Sequence, residues 1–120
     1  MKTAELTGAA LDWAVAKCEG LDFEIVNGRV FIPDEDGIDE PYLYCPSNSA
    51  NDGERIIDQE DIGLKRDEQG LWIASYEAPD GFALDVTGET LLIAAMRCYV
   101  ASRLGEHVEV PAEFLVTWGA

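Results

Sequence analysis

Between Thr87 and Gly105 runs the stretch that most restricts the possible folds, because Leu91, Leu92, Ala95, Met96, Tyr99 and Val100 recur at the spacing that lines one side of a helix. A stripe of that width has to be covered on folding. Thr87 stands where a capping hydroxyl is wanted, and Gly105 follows the last periodic residue, so the pattern predicts a helix from about 88 to 104. Arg97 and Arg103 fall on or near the rim of the stripe. A second helix is expected over about 7–19, with Thr7 as cap, Leu11, Ala14, Val15 and Cys18 on one face, and Gly20 at the left-handed stop.

The segments between the helices read as strands and turns. Phe23-Glu24-Ile25-Val26 and Arg29-Val30-Phe31-Ile32 flank Asn27-Gly28, the dipeptide that best accepts the two positive φ angles of a type I′ hairpin turn. Pro33 has no amide hydrogen to extend the ladder, and the residues from Asp34 to Pro41 read as a solvated acidic loop. Tyr42 to Cys45 fits one more short strand. Ser47 to Gly53 is too polar to bury much and reads as a loop, with Arg55 to Asp58 a short strand or helical turn. Ile62 to Lys65 and Leu71 to Tyr76 make a second hairpin across Asp67-Glu68-Gln69-Gly70, and Pro79-Asp80-Gly81 breaks the chain ahead of the long helix. The tail from Val108 is extended and expected to finish on the sheet through Phe114, Leu115 and Trp118. The expected architecture is therefore a single α+β domain, with an antiparallel sheet of four or more strands built from hairpins and two helices packed on one face.

A shared pattern, Thr7-Gly8, Leu11, Ala14, Lys17-Cys18 against Thr87-Gly88, Leu91, Ala94, Arg97-Cys98, joins the two helices at a constant offset. Too little chain follows Gly105 to repeat the hairpins, so common capping and packing chemistry accounts for it better than duplication.

Charge bounds the partners. The 120 residues hold 24 Asp and Glu against 8 Lys and Arg, a formal net charge of -16. Such a field disfavours nucleic acid and anionic membranes and attracts basic surfaces. No stretch approaches the roughly 20 apolar residues that cross a bilayer, and the N-terminus has no signal-like apolar run. Cys18, Cys45 and Cys98 are odd in number and widely spaced, which fits a reducing cytoplasm better than a disulfide framework.

Catalytic and metal signatures fail one by one. The three cysteines and His107 lack the close ligand spacing of a zinc site. An EF-hand loop with Gly37 sixth would begin at Ile32 and end at Leu43, and one with Gly53 sixth would place Ala50 third and Gln59 twelfth, so neither supplies the carboxylates calcium needs. No nucleophile elbow, P-loop or dinucleotide fingerprint is present, and the single histidine, His107, sits just beyond a helix end where its cation would suit the helix dipole. No cofactor is implied.

Two blocks carry a resemblance to a known family. Met1 to Gly20, with Leu6-Thr7-Gly8-Ala9-Ala10-Leu11-Asp12-Trp13-Ala14 at its centre, and Leu92 to Gly105, with Ala95-Met96-Arg97-Cys98-Tyr99-Val100-Ala101-Ser102, closely resemble the two ends of the phage NinX-like proteins, a family of unknown function. The middle of the chain matches through Ile56-Ile57 and the strand at Trp72. The resemblance implies a small accessory protein of a tailed phage or prophage, acting in the bacterial cytoplasm, and carries over no catalytic residue.

Three functional classes follow. The leading expectation is a noncatalytic module that offers an acidic surface to a basic host or phage protein, in its sharpest form as a DNA mimic. The candidate surface comprises Asp34, Glu35, Asp36, Asp39, Glu40, Tyr42, Tyr44, Asp52, Glu54, Asp58, Glu60 and Asp61, aromatics beside carboxylates being suited to recognising cations. The alternative is a small enzyme or metal-dependent binding protein with a site built from dispersed carboxylates and His107. A structural subunit or homodimer is the third.

Overall fold

The computed structural model describes residues 1–33 and 40–114. Helix α1, Gly8–Glu19, starts after the extended Thr7 and stops at Gly20, whose φ of 69° is the left-handed conformation the sequence predicts there, although the Thr7 side chain makes no capping hydrogen bond. Strands β1, Glu24–Val26, and β2, Arg29–Ile32, pair antiparallel through Asn27 (φ 52°) and Gly28 (φ 73°), as the dipeptide requires. The short β3, Tyr42–Leu43, adds to β2 with Ile32 opposite Tyr42 and Phe31 opposite Leu43, closing a three-stranded sheet in the order β1-β2-β3.

A second antiparallel sheet, in the order β4-β5-β6, uses β4 (Gly63–Arg66), β5 (Trp72–Glu77) and β6 (Ala83–Gly88). The β4–β5 turn forms as read from the sequence: the Leu71 and Gln69 amides both donate to Asp67 Oδ1 at 2.9 Å, and Gly70 takes a φ of 87°. Strand β6 departs from expectation. Pro79-Asp80-Gly81 is a hairpin turn, with the Phe82 amide donating to Asp80 Oδ1 at 3.0 Å and the Ala78 amide to the Phe82 carbonyl at 2.7 Å. The chain then alternates Leu84 and Val86 inward with Ala83, Asp85 and Thr87 outward. Thr87 is thus a strand residue. The cap of helix α3, Leu91–Leu104, is Thr90, whose Oγ1 accepts from the Ile93 amide at 3.1 Å. Because Thr87-Gly88 lies in a strand, its match to Thr7-Gly8 reflects no shared cap.

A further correction concerns residues read as a loop. Helix α2, Ala50–Glu60, occupies the polar stretch, so the described residues form three α-helices and two three-stranded sheets in place of two helices on a sheet of four or more strands. Its N-terminal half looks soluble because only a narrow strip is covered, Gly53 and Ile56 fully and Ile57 in part. Glycine at position 53 is what lets the helix approach: a Cβ there would lie 2.6 Å from Leu92 Cδ2 and 2.6 Å from the Pro46 carbonyl oxygen.

Helix α3 sits at the centre. It packs on β5 and β6 with one side and meets α1, α2 and the Thr3–Glu5 turn with the others. Ala94, Ala95, Met96, Cys98, Tyr99 and Val100 are all buried. Two features fasten the strands to it. A Cβ at Gly88 would lie 2.5 Å from the Ala94 nitrogen, so only glycine permits the strand-to-helix approach. Arg97 Nε donates to the Leu6 carbonyl at 2.7 Å and Nη1 to the Thr87 carbonyl at 3.0 Å, tying both chain segments to the helix. The chain ends meet beside it: Thr3 Oγ1 donates to the Gly105 carbonyl at 2.6 Å and the Val108 amide to the Met1 carbonyl at 2.9 Å. The described part of the tail therefore pairs with the N-terminal segment and, among the described residues, joins neither sheet. Phe114 instead packs against Trp13, ring centroids 6.4 Å apart, while Leu115 and Trp118 lie outside the described residues.

Gly88→Ala forces a methyl against backbone atoms that cannot rotate away and should lower stability by about 1–3 kcal/mol in denaturant titration. Gly63→Ala, where the nearest contact is an ordinary 3.9 Å, should change it by less than about 1 kcal/mol.

Candidate functional site

The acidic residues divide into those the fold uses and those it leaves to solvent. Asp34, Glu35, Asp36 and Asp39 lie outside the described residues. Asp52 is half-buried and its Oδ2 accepts from the Cys45 amide at 3.2 Å, holding the loop ahead of α2. Glu60 forms an ion pair with Arg103, the one ion pair among the described residues. Glu54, Asp58 and Asp61 remain exposed; Glu54 and Asp58, four residues apart, share one face of α2, and Asp61 follows the helix end in the left-handed conformation, φ 55°. Glu40 is exposed just before β3, next to Tyr42, which is 54% exposed.

Tyr44 does not join this surface. It is 2% exposed, inside the core, and among the described residues its hydroxyl has no hydrogen-bond partner; burial, with Glu19 nearby, holds the phenol well above its usual pKa. The alternation that offered Tyr42 and Tyr44 as a pair is broken because the β3 ladder ends at Leu43 and the Tyr44 amide turns in to donate to the Val30 carbonyl at 2.9 Å.

Few cations are left over to answer the carboxylates. Lys17 lies 5.1 Å from the Trp13 ring centroid, Arg66 5.3 Å from that of Trp72 and Arg103 5.4 Å from that of Tyr99, each covering an aromatic face. Arg97 is committed to backbone carbonyls. Half of the 8 Lys and Arg thus serve aromatic rings and carbonyls, Arg103 alone of these four also pairing with a carboxylate, and the 24 acidic residues far outnumber the cations that remain.

Concavities among the described residues offer places for chemistry. One, of about 410 Å³, is lined by His107 together with Lys2, Asp85 and Glu106, which brings the histidine near two carboxylates. Among the described residues, no three His, Cys, Asp or Glu side chains stand close enough to hold a metal ion. The thiols are poor nucleophiles, since burial pushes Cys18 up to about 11 and Cys98 up to about 12. A second concavity, of about 420 Å³, has Asp12, Arg29, Cys45 and Asn48 in its lining. The third, of about 390 Å³, lies over the β1-β2-β3 sheet between Glu24, Val26, Phe31, Glu40 and Pro41.

Asp12 is the buried acid that sequence reasoning passed over. It is 6% exposed, and its Oδ1 accepts from the Ser47 amide at 2.9 Å, so it anchors the loop between β3 and α2. Burial pushes its carboxyl up from 3.8 to about 6, the Ser47 amide and hydroxyl opposing the rise and the charge of Asp52 adding to it. A signal was present: Asp12 falls inside an unbroken buried run from Leu11 to Ala16, where a carboxyl needs a dedicated partner. Glu24 and Val26, likewise unremarked, alternate with the inward Ile25 and so had to face outward together.

These features define a class: a small α+β protein with an acidic exterior, its buried carboxyl engaged in holding a loop. The chain belongs to the NinX family of phage accessory proteins, the family model described as Bacteriophage P22, NinX matching residues 2–103. No curated protein matches it. Among the described residues, no helix is long and apolar enough to cross a membrane.

A carboxyl whose pKa is higher folded than unfolded gives stability that is present below the unfolded value and lost as pH rises through the folded one, here between 3.8 and about 6. Asp12→Asn retains the acceptor for Ser47 without the buried charge. Its stability relative to the parent should therefore rise by about 2 kcal/mol between about pH 4.5 and about pH 7.5, as read from denaturant unfolding at both values.

Proposed function

We propose that this phage protein is a noncatalytic docking module that acts in the host cytoplasm by presenting its acidic exterior to a basic surface on a host or phage protein. The observation that carries this reading is the mismatch between a net charge of -16 and a single ion pair among the described residues. Carboxylates left unpaired within a chain repel one another, and that repulsion is relieved when a cationic partner arrives. Glu54 and Asp58, on one face of α2, with Asp61 just past its end, form one acidic cluster on that exterior. The two longer dimensions, 43 and 38 Å, are similar, which favours a compact patch over the elongated double row that imitation of DNA requires.

Protein captured from host lysate by the tagged chain at about 50 mM salt should be released by about 500 mM, where screening extends only a few ångströms. The double variant Glu54→Lys, Asp58→Lys, substituted at exposed positions on α2, should melt no lower than the parent, because it relieves carboxylate repulsion, and retain at least about fivefold less of the same protein. Capture that survives both high salt and charge reversal contradicts the proposal.

A further inference from the structure

Two of the six large apolar residues exposed among the described residues, Val26 at 45% and Leu43 at 40%, lie on one side of the small β1-β2-β3 sheet, whereas Tyr42, opposite Ile32, belongs to its other side and Met1, Phe82 and Leu104 stand on other elements. Register explains the concentration. Glu24, Phe31 and Leu43 are direct cross-strand neighbours, and so are Val26 and Arg29, so these five share the side of the sheet opposite Val30, which is buried. That outer side forms the shallow concavity of about 390 Å³, with Val26 and Phe31 as its apolar wall and Glu24 and Glu40 at its rim. Sheet faces turned to water normally carry polar residues. An apolar floor with an acidic rim is the composition of a contact surface.

The charge selects the occupant. A second copy of the chain would bring another net charge of -16 against the same rim. A cationic segment is drawn to it instead. The volume takes two or three aliphatic side chains, too little for a helix roughly 10 Å across but enough for alternate residues of an extended segment. Resting on the docking role proposed above, we infer that the outer face of the β1-β2-β3 sheet binds an extended segment of a basic protein in which aliphatic residues alternate with Lys or Arg, the aliphatic ones entering between Val26 and Phe31 and the cations meeting Glu24 and Glu40.

Two fluorescent nine-residue peptides of equal charge, one alternating lysine with valine and the other lysine with serine, test this by anisotropy at about 50 mM salt. The valine peptide should bind at least about tenfold tighter. Val26→Ser, at a position nearly half exposed, should keep the parent's melting temperature and remove that preference while leaving the serine peptide's affinity as it was. Glu24→Gln with Glu40→Gln should weaken both peptides, and amide shifts on binding should cluster at residues 24–31 and 40–43. Equal affinity for the two peptides, a preference untouched by Val26→Ser, or shifts confined to α2 would overturn the inference and leave the electrostatic docking role standing. A dimer that Val26→Ser dissociates would assign the face to a second copy and also overturn it. Failure of both peptides to bind the parent would remove the docking role as well.

Discussion

Burial of α3 on every side is the constraint that the remaining structure obeys. A helix with Ala94, Ala95, Met96, Cys98, Tyr99 and Val100 all inside has no polar side to show to water, so other elements must enclose it. The β4-β5-β6 sheet covers one flank, and α1, α2 and the N-terminal turn cover the others. Small residues set the distances. Gly88 lets β6 come down on Ala94, and Gly53 lets α2 come down on Leu92 and Pro46. Arg97 then joins the N-terminal segment and β6 through their carbonyls, a use of a cation that neutralises no carboxylate.

Gathering the apolar residues around one helix sends the acidic ones outward, and the cations do not follow in number. Lys17, Arg66 and Arg103 lie over aromatic rings, with Arg103 alone also reaching a carboxylate, that of Glu60. Where acids are kept inside, they act on the backbone: Asp12 holds the Ser47 amide and Asp52 the Cys45 amide, which together shape the link from β3 to α2. The β1-β2-β3 sheet stands apart from this scheme. Its inner side reaches the core through Val30, and on its outer side Val26 and Leu43 are exposed.

What could be read in advance followed from local chemistry. Gly20, Asn27-Gly28, Gly70 and Gly105 each take the positive φ expected of them, because turn and stop signals depend on one or two residues. The resemblance of the two terminal blocks to the NinX family was likewise legible and is upheld by a match over residues 2–103. Helix α2 was legible only as the helical-turn alternative over Arg55 to Asp58, since a helix that buries little beyond Gly53 and Ile56 has almost the composition of a loop. Strand β6 was hidden by the competing helix signal of Thr87, which Thr90 fulfils three residues later. At the candidate surface, the exposure of Glu54, Asp58 and Asp61 agreed with their polarity, whereas the loss of Tyr44 to the core depended on where a two-residue strand ends, and no periodicity encodes that.

The claim beneath this account is that, among the described residues, the exterior carboxylates other than Glu60 have no ion-pair partner, and the salt dependence of stability measures it directly. If they repel one another, raising sodium or potassium chloride from about 10 to about 300 mM should raise the melting temperature by several degrees, equally for both cations, as screening relieves the native state. A melting temperature that stays constant or falls over that range would mean that the charges are already balanced internally, and the case for a cationic partner would lose its physical basis.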